Sequence, residues 1–242
     1  MGYNSIMKIN TKKIIMSTAL MFAMGMIFAA GGKKSVNTKK STFTWAGHAS
    51  VKLKTSDGRV IYIDPNYAQG DFSEPADFVL VTHSHGDHAP NKDVQYKDDC
   101  KIITWKEGLV DDEYKTFDFD GLVIEAVPTG GNKNHPVGFG VGYLISFDGI
   151  TIYHPGDTSY IEEMNMLTNR KIDYAMYPID GRFNMDAVEA TKVADIVGAK
   201  VNIPIHDNNG PDEHKEDNFI PKGRLVLKKG STIDLKNGKL LK

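Results

Sequence analysis

Cysteine is almost absent: Cys100 is the only one in 242 residues. A single thiol cannot close an internal disulfide, so the fold must rest on its core rather than on cross-links. Taken alone, Cys100 reads as a small buried apolar side chain. Acidic residues are absent before Asp57. Long apolar runs are also scarce. The one that stands out, Ile14 to Ala30, has 17 residues and is marginal for crossing a hydrocarbon core. Lys8, Lys12 and Lys13 precede it, and Ala29, Ala30, Gly31 and Gly32 follow. This is the layout of a cleaved export signal over residues 1–30, with an uncleaved N-terminal anchor as the alternative. No cysteine lies near the junction, which excludes lipid attachment there. The expected location is therefore periplasmic or extracellular.

An excess of basic residues is missing too. The 29 Lys and Arg against 31 Asp and Glu give a formal charge of −2. Without residues 1–30 the balance is 26 to 31, or −5. Such a surface does not attract nucleic acid or anionic lipid by charge alone. The expected partner is a small-molecule substrate, with a membrane contact only through an uncleaved N-terminal segment.

The 40% of hydrophobic residues suffice for one substantial core. Residues 31–41 are polar, rich in Gly and Lys, and read as a flexible leader; residues 42–242 read as one domain without internal repeats. Short β-type runs dominate it. Strands are predicted at Phe43–Trp45, Ser50–Lys54, Val60–Ile63, Lys101–Thr104, Leu122–Ala126, Gly142–Ser146, Thr151–Tyr153 and Val201–Ile205. Asp77–Thr82 is apolar without alternation, as a strand buried on both faces would be. A hairpin is expected around Asn237-Gly238. Met185–Val197 reads as a helix with Val188, Thr191, Ala194 and Ile196 on one stripe, Asp186 near its start and Gly198 near its end. Ser159–Leu167 reads as a shorter helix. The order of strands, polar loops and helices predicts a layered α/β domain with its ligands at the strand ends.

The chemistry concentrates directly after the buried strand, in Thr82-His83-Ser84-His85-Gly86-Asp87-His88. A lone histidine there would read as a solvated loop residue. Three imidazoles and a carboxylate in six positions instead read as metal ligands, and nitrogen with oxygen donors suits zinc, manganese or iron. Asp157, in Pro155-Gly156-Asp157-Thr158, follows an apolar strand and reads either as a ligand or as a turn residue. His48 and His154 sit near strand ends, where each reads as a contact to substrate or as a satisfied polar group. The Gly138-x-Gly140-x-Gly142 run precedes a strand rather than a helix, so it is not a dinucleotide fingerprint.

The phrase His83-x-His85-x-Asp87-His88 resembles the defining motif of the metallo-β-lactamase superfamily. Ile63-Asp64-Pro65, Tyr153-His154-Pro155-Gly156-Asp157-Thr158 and Ile203-Pro204-Ile205-His206 follow the same order over about residues 42 to 235. Gly47-His48-Ala49-Ser50, Gly156-Asp157-Thr158 and Met185-Asp186-x-x-Glu189-Ala190 most resemble the ascorbate-6-phosphate lactonase-like branch. The resemblance implies a four-layer αββα sandwich with two divalent cations, Zn²⁺ or Mn²⁺, at one edge. It implies His83 and His85 on the first cation, Asp87, His88 and His206 on the second, and Asp157 between them. It also implies Asp64 as a carboxylate that orients a ligand. Asp87, Asp157, Asp64 and His48 are thus the residues expected to take part in the chemistry.

One position departs from the pattern. A histidine is usual shortly after Val127-Pro128, where this chain reads Thr129-Gly130-Gly131-Asn132. Either His135 reaches the first cation from a shifted loop, or that cation lacks a third protein nitrogen. The implied activity is hydrolysis of an ester, lactone or phosphodiester by a metal-activated water. A metal-binding protein of the same fold without turnover is the main alternative. A nuclease is disfavoured by the acidic charge.

Overall fold

The computed structural model describes residues 39–67, 70–207 and 215–241, all within the compact unit Asn37–Lys242. The expected export signal and most of the expected leader lie outside the described residues. In chain order the elements are β1 (Thr42–Gly47), β2 (Ser50–Lys54), β3 (Val60–Ile63), β4 (Ala76–Val81), β5 (Tyr96–Thr104), the one-turn helix α1 (Trp105–Gly108), and the small ribbon β6 (Leu109–Val110) with β7 (Glu113–Tyr114). There follow β8 (Thr116–Phe119), β9 (Leu122–Val127), β10 (Gly142–Phe147), β11 (Ile150–His154), β12 (Tyr174–Pro178), α2 (Ala187–Val197), β13 (Val201–Ile205), β14 (Thr232–Asp234) and β15 (Lys239–Leu240).

Two mixed sheets face each other, one ordered β15-β14-β1-β2-β3-β4-β5 and the other β13-β12-β11-β10-β9-β8. Alternation decides what each strand buries. Phe43, Leu53, Ile61, Ile63, Phe78 and Leu80 of the first sheet point at Ile124, Tyr143, Ile145, Ile152, Met176 and Ile203 of the second. The neighbouring positions of β4, Val79 and Val81, face outward into a separate apolar cluster. Both faces of β4 are thus dry, which explains its unbroken apolar run. Tyr143 ties the sheets together near one edge, its hydroxyl donating to Val81 O at 3.2 Å and Ile103 O at 3.1 Å.

The α/β sandwich expected from the sequence is present, and its outer layers are unequal. α2 and a 3-10 turn at Glu162–Leu167 cover the second sheet through Ala190, Val193, Val197, Met164 and Leu167. Over the first sheet, among the described residues, cover comes from Phe72, Val94 and Trp105 rather than from a long helix. Cys100 is half-buried against that cluster instead of inside the main core.

Three sequence expectations need correction. The stripe of α2 is rotated: Ala187, Ala190, Val193, Ala194 and Val197 are buried, while Val188 is exposed. The short helix predicted at Ser159–Leu167 is a 3-10 turn over Glu162–Leu167. The strand predicted at Lys101–Thr104 begins earlier, at Tyr96. The caps of α2 fall where expected. The Asp186 side chain accepts from Glu189 N at 2.7 Å, and Gly198 closes the helix in the left-handed region at φ 68°.

β3 pairs parallel with β4, and β11, β12 and β13 run parallel to one another. Their C-terminal ends therefore emerge at common edges. Asp64 follows β3, the 82–88 loop follows β4, Asp157 follows β11, Asp180 follows β12 and His206 follows β13.

Candidate metal centre

The 82–88 loop leaves a buried strand and turns back at once, His88 N donating to His85 O at 3.1 Å. His83 and His88 are buried, His85 is half-buried and Asp87 is exposed. Three residues around the centre adopt left-handed backbone without being glycine: His48 (φ 52°), Asp64 (φ 45°) and His206 (φ 52°). Such strain persists only where surrounding contacts fix it, and it concentrates at functional sites. Here a backbone bond from His206 N to His48 O at 3.1 Å joins two of the three, and their rings pack with centroids 3.7 Å apart.

Two groups of donor atoms result. In the first, His85 Nδ1 lies 3.1 Å from both His83 Nε2 and His135 Nε2. In the second, Asp87, His88 and His206 gather with His48, whose Nε2 is 3.1 Å from Asp87 Oδ2. Asp157 stands between them. Its Oδ1 is 3.3 Å from His88 Nε2, and its Oδ2 is 3.4 Å from His135 Nε2 and 3.3 Å from His206 Nε2.

These spacings fit a metal better than they fit each other. Two nitrogens each about 2.0–2.1 Å from one tetrahedral ion lie about 3.3 Å apart. His88 Nε2, His206 Nε2 and Asp157 Oδ1 are buried and make no hydrogen bond, although their neighbours are that close. Orphaned buried polar atoms are rare in folded proteins, and here they are aimed at shared points rather than at one another.

The far nitrogens of His88 and His83 are held by hydrogen-bond partners that leave the near ones free. His88 Nδ1 donates to Asp64 Oδ2 at 2.7 Å. Thr82 Oγ1 donates to the same oxygen at 2.7 Å, so it can only accept from His83 Nδ1, 3.0 Å away. One sealed carboxylate thereby orients His88 directly and His83 through Thr82. Asp64 is fully buried and touches the centre only through these residues, so its part is positioning rather than contact with a reactant. His206 Nδ1 lies 3.0 Å from Asp180 Oδ2, off line for an ideal hydrogen bond but a close electrostatic contact. Asp180 is fixed in turn by the Arg182 and Phe183 amides, each at 2.7 Å, and by Asn184 Nδ2 at 2.7 Å.

The field of the site favours positive charge. Burial pushes the His206 pKa down, but Asp157 and Asp180 outweigh it and raise it to about 9. Burial likewise opposes the charged form of His88, and Asp64 and Asp157 on its two sides hold its pKa well above the usual histidine value. The Asp157 carboxyl, raised by burial, is brought well below the carboxylate range by His206 and His88. Burial, aided by His88, takes His83 down to about 3, which keeps that ring in the neutral form that binds metals.

His135 sits in a loop organised by Asn132. The Asn132 Oδ1 accepts from Asn134 N at 3.0 Å and from His135 N at 2.9 Å, and its Nδ2 donates to Ser159 Oγ and Phe183 O, each at 3.1 Å. Gly130 makes the turn possible. At φ 115° its missing Cβ would lie 2.7 Å from His135 O.

His154 is not part of the donor groups: Nε2 donates to Ala49 O at 2.9 Å and Nδ1 accepts from Gly156 N at 3.1 Å, which uses both nitrogens. Thr82, Asn132 and Asp180 were not singled out from the sequence. Only Asn132 left a signal, since an Asn two and three residues before the amides it caps is a common turn device.

Above the centre opens a cleft of about 460 Å³ lined by His85, Asp87, Asn134, His135, Phe183 and His206. The arrangement can hold two cations at the floor of a cleft sized for a small molecule.

Residues 42–206 match the family model described as a beta-lactamase superfamily domain. The chain is 32% identical over 225 residues to a UPF0173 metal-dependent hydrolase of Sulfolobus acidocaldarius, covering 79% of this chain and 98% of that one. A UPF0173 metal-dependent hydrolase of Thermococcus onnurineus is 31% identical, with 81% and 96% covered. Among solved structures, a protein of Parabacteroides distasonis described as a metal-dependent hydrolase is 28% identical. It superposes with a TM-score of 0.65 over 77% of this chain and 92% of its own. Family match, near full-length relatives and the His and Asp cluster agree, and the chain belongs to the metal-dependent hydrolases of the metallo-β-lactamase superfamily.

Proposed function

We propose that the protein hydrolyses an ester, lactone or phosphodiester bond of a small molecule at a centre of two divalent cations. The observation that carries this reading is Asp157, a buried carboxylate within 3.4 Å of ring nitrogens from both donor groups. His83, His85 and His135 would hold one cation, and Asp87, His88 and His206 the other, with Asp157 shared. Nitrogen and carboxylate donors without thiolate suit Zn²⁺ first and Mn²⁺ second. Such cations supply Lewis acidity and a water acidified into the neutral pH range.

The chain's own residues do the rest. Asp64 and Asp180 keep the far nitrogens of His88 and His206 engaged, so that the near ones face the centre. His48, itself more buried, restrains the exposed Asp87 through a contact of 3.1 Å. Phe183 lines the cleft with an apolar face. The preference for a lactone or phosphodiester over a β-lactam draws its support from the Gly47-His48-Ala49-Ser50 and Gly156-Asp157-Thr158 phrases, which resemble the lactonase-like branch.

The test combines elemental analysis of protein purified without added metal with rates on lactone, aryl ester and phosphodiester substrates. Two equivalents of metal and turnover are expected, and Asp157→Ala should lose both. Metal-loaded protein that turns over none of these substrates would mark a binding protein of the same fold instead.

A further inference from the structure

The chain is acidic overall, yet two cations stand directly beside the metal cleft. Next to the metal cleft lies a second depression, of about 390 Å³, lined by Lys133, Asn134, Ser159, Arg182 and Phe183. It shares Asn134 and Phe183 with the metal cleft, so the two form one continuous surface. Among the described residues no carboxylate lines it. Lys133 and Arg182 are exposed, and among the described residues neither forms an ion pair. Elsewhere several cations are held by carboxylates: Lys54 by Glu74, Lys97 by Asp77, Arg170 by Glu125, Lys200 by Asp173.

From this juxtaposition we propose that Lys133 and Arg182 form a subsite for an anionic group, carboxylate or phosphate, carried by the substrate whose bond is broken at the neighbouring metal centre. The inference rests on the hydrolase reading and adds the class of substrate. Both cations are carried on turns that also build the centre. Lys133 lies inside the Asn132-capped turn that presents His135, and Arg182 donates its amide to Asp180, the carboxylate beside His206. Their backbones are therefore fixed relative to the scissile position, which is what a positioning contact requires. The Arg182 guanidinium lies 4.8 Å from the Phe183 ring centroid, which restrains it over an aromatic face. That ring, 39% exposed and common to both depressions, offers an apolar platform for the part of the molecule between the anion and the metals. A guanidinium and an ammonium together suit the two or three oxygens of a carboxylate or phosphate, and a neutral substituent would leave both charges unmatched.

The experiment compares two 4-nitrophenyl esters that differ by one acyl-side carboxylate, with metal-loaded wild type and the Lys133→Ala/Arg182→Ala double variant. Wild type should favour the anionic ester by about tenfold or more in kcat/KM. The double variant should lose that preference through KM, with the rate on the neutral ester within about twofold of wild type and metal content unchanged. Equal rates on both esters in wild type, or a preference kept by the variant, overturns the proposal.

A binding arm separates this failure from failure of the hydrolase reading. Phenylphosphonate is titrated into metal-free wild type, the double variant, and Arg182→Lys. Binding by wild type that weakens at least tenfold in the double variant and is partly kept by Arg182→Lys supports the subsite even if neither ester is hydrolysed. Equal binding by wild type and the double variant, or none by either, rejects it.

Discussion

Asp64 Oδ2 accepts from His88 Nδ1 at 2.7 Å with both side chains fully buried, and the same oxygen accepts from Thr82 Oγ1. The second oxygen takes the Thr82 amide at 2.8 Å. Every lone pair in use faces a donor, so the group must be ionised and cannot rotate. Burial alone would raise its pKa, and His88 reverses that and lowers it. One residue at the end of β3 thus sets the ring angles of imidazoles in both donor groups.

Asp64→Asn should therefore weaken both metals, not one. The amide nitrogen would oppose either the Thr82 amide or the pair formed by His88 and the Thr82 hydroxyl, donor against donor. Asparagine tolerates the left-handed backbone, so the loss would be electrostatic rather than conformational. Removing a partner that orients a metal-binding imidazole costs about 10–100-fold in affinity. Competition with a chromogenic chelator measures this for each equivalent. Unchanged affinity at both would show that ring orientation is fixed by packing alone.

Gly140 gives a second lever, remote in sequence from the motif it supports. Its missing Cβ would lie 2.7 Å from both Thr82 O and His83 Cβ, contacts that no change of rotamer can relieve. Gly140→Ala should destabilise the fold by about 1–3 kcal/mol, as overpacking does, and weaken metal binding by displacing His83. Gly86 sits inside the motif, yet nothing lies within 4 Å of the position a Cβ would take. Gly86→Ala should leave both properties near wild type. Denaturant titration and metal titration of the pair decide it, and the reverse ranking would contradict the close approach of residue 140 to the loop.

The contrast between these glycines shows what the sequence could reveal. His83, His85, Asp87 and His88 are adjacent in the chain, so their density alone marked a candidate metal site. β3 and β13 were legible to the residue through their Val- and Ile-rich runs, and β2 through its apolar and lysine alternation before the Ser56-Asp57-Gly58 turn. β12 was not: Tyr174–Pro178 has neither alternation nor any of the β-branched residues that mark β4. Missing β12 hid Asp180, which is placed only by that strand's end. Thr82 acts through its bonds to Asp64, 18 positions away, and no local pattern encodes such a pairing. Asn132 caps the nearby amides of Asn134 and His135, and only its bonds to Ser159 and Phe183, 27 and 51 positions on, lie beyond local reading. α2 was found but rotated, because its buried face is mostly alanine, whose weak hydropathy let the larger Val188 bias the stripe.

His135 is where the chain departs from the pattern it resembles, and there the two donor groups can be separated by one substitution. His135 Nε2 lies 3.1 Å from His85 Nδ1 and 3.4 Å from Asp157 Oδ2, so the ring addresses the first group and the shared carboxylate. It makes no ion-pair contact with Asp87 or Asp64, the carboxylates beside His88. His135→Ala should then lower affinity for one equivalent of metal and spare the other, because Asp87, His88 and His206 keep their positions. Hydrolysis should fall by far more than removal of a cleft-lining side chain would cause, since two imidazoles and a shared carboxylate leave the first cation short of nitrogen. Asn132→Ala keeps the imidazole but removes the cap on its turn, and should give a smaller loss at the same equivalent. Calorimetric metal titration of the two variants beside wild type reads both effects. Two equivalents bound with wild-type affinity by His135→Ala would remove His135 from the centre, and equal weakening of both would mean that the donor groups do not act as two separate sites.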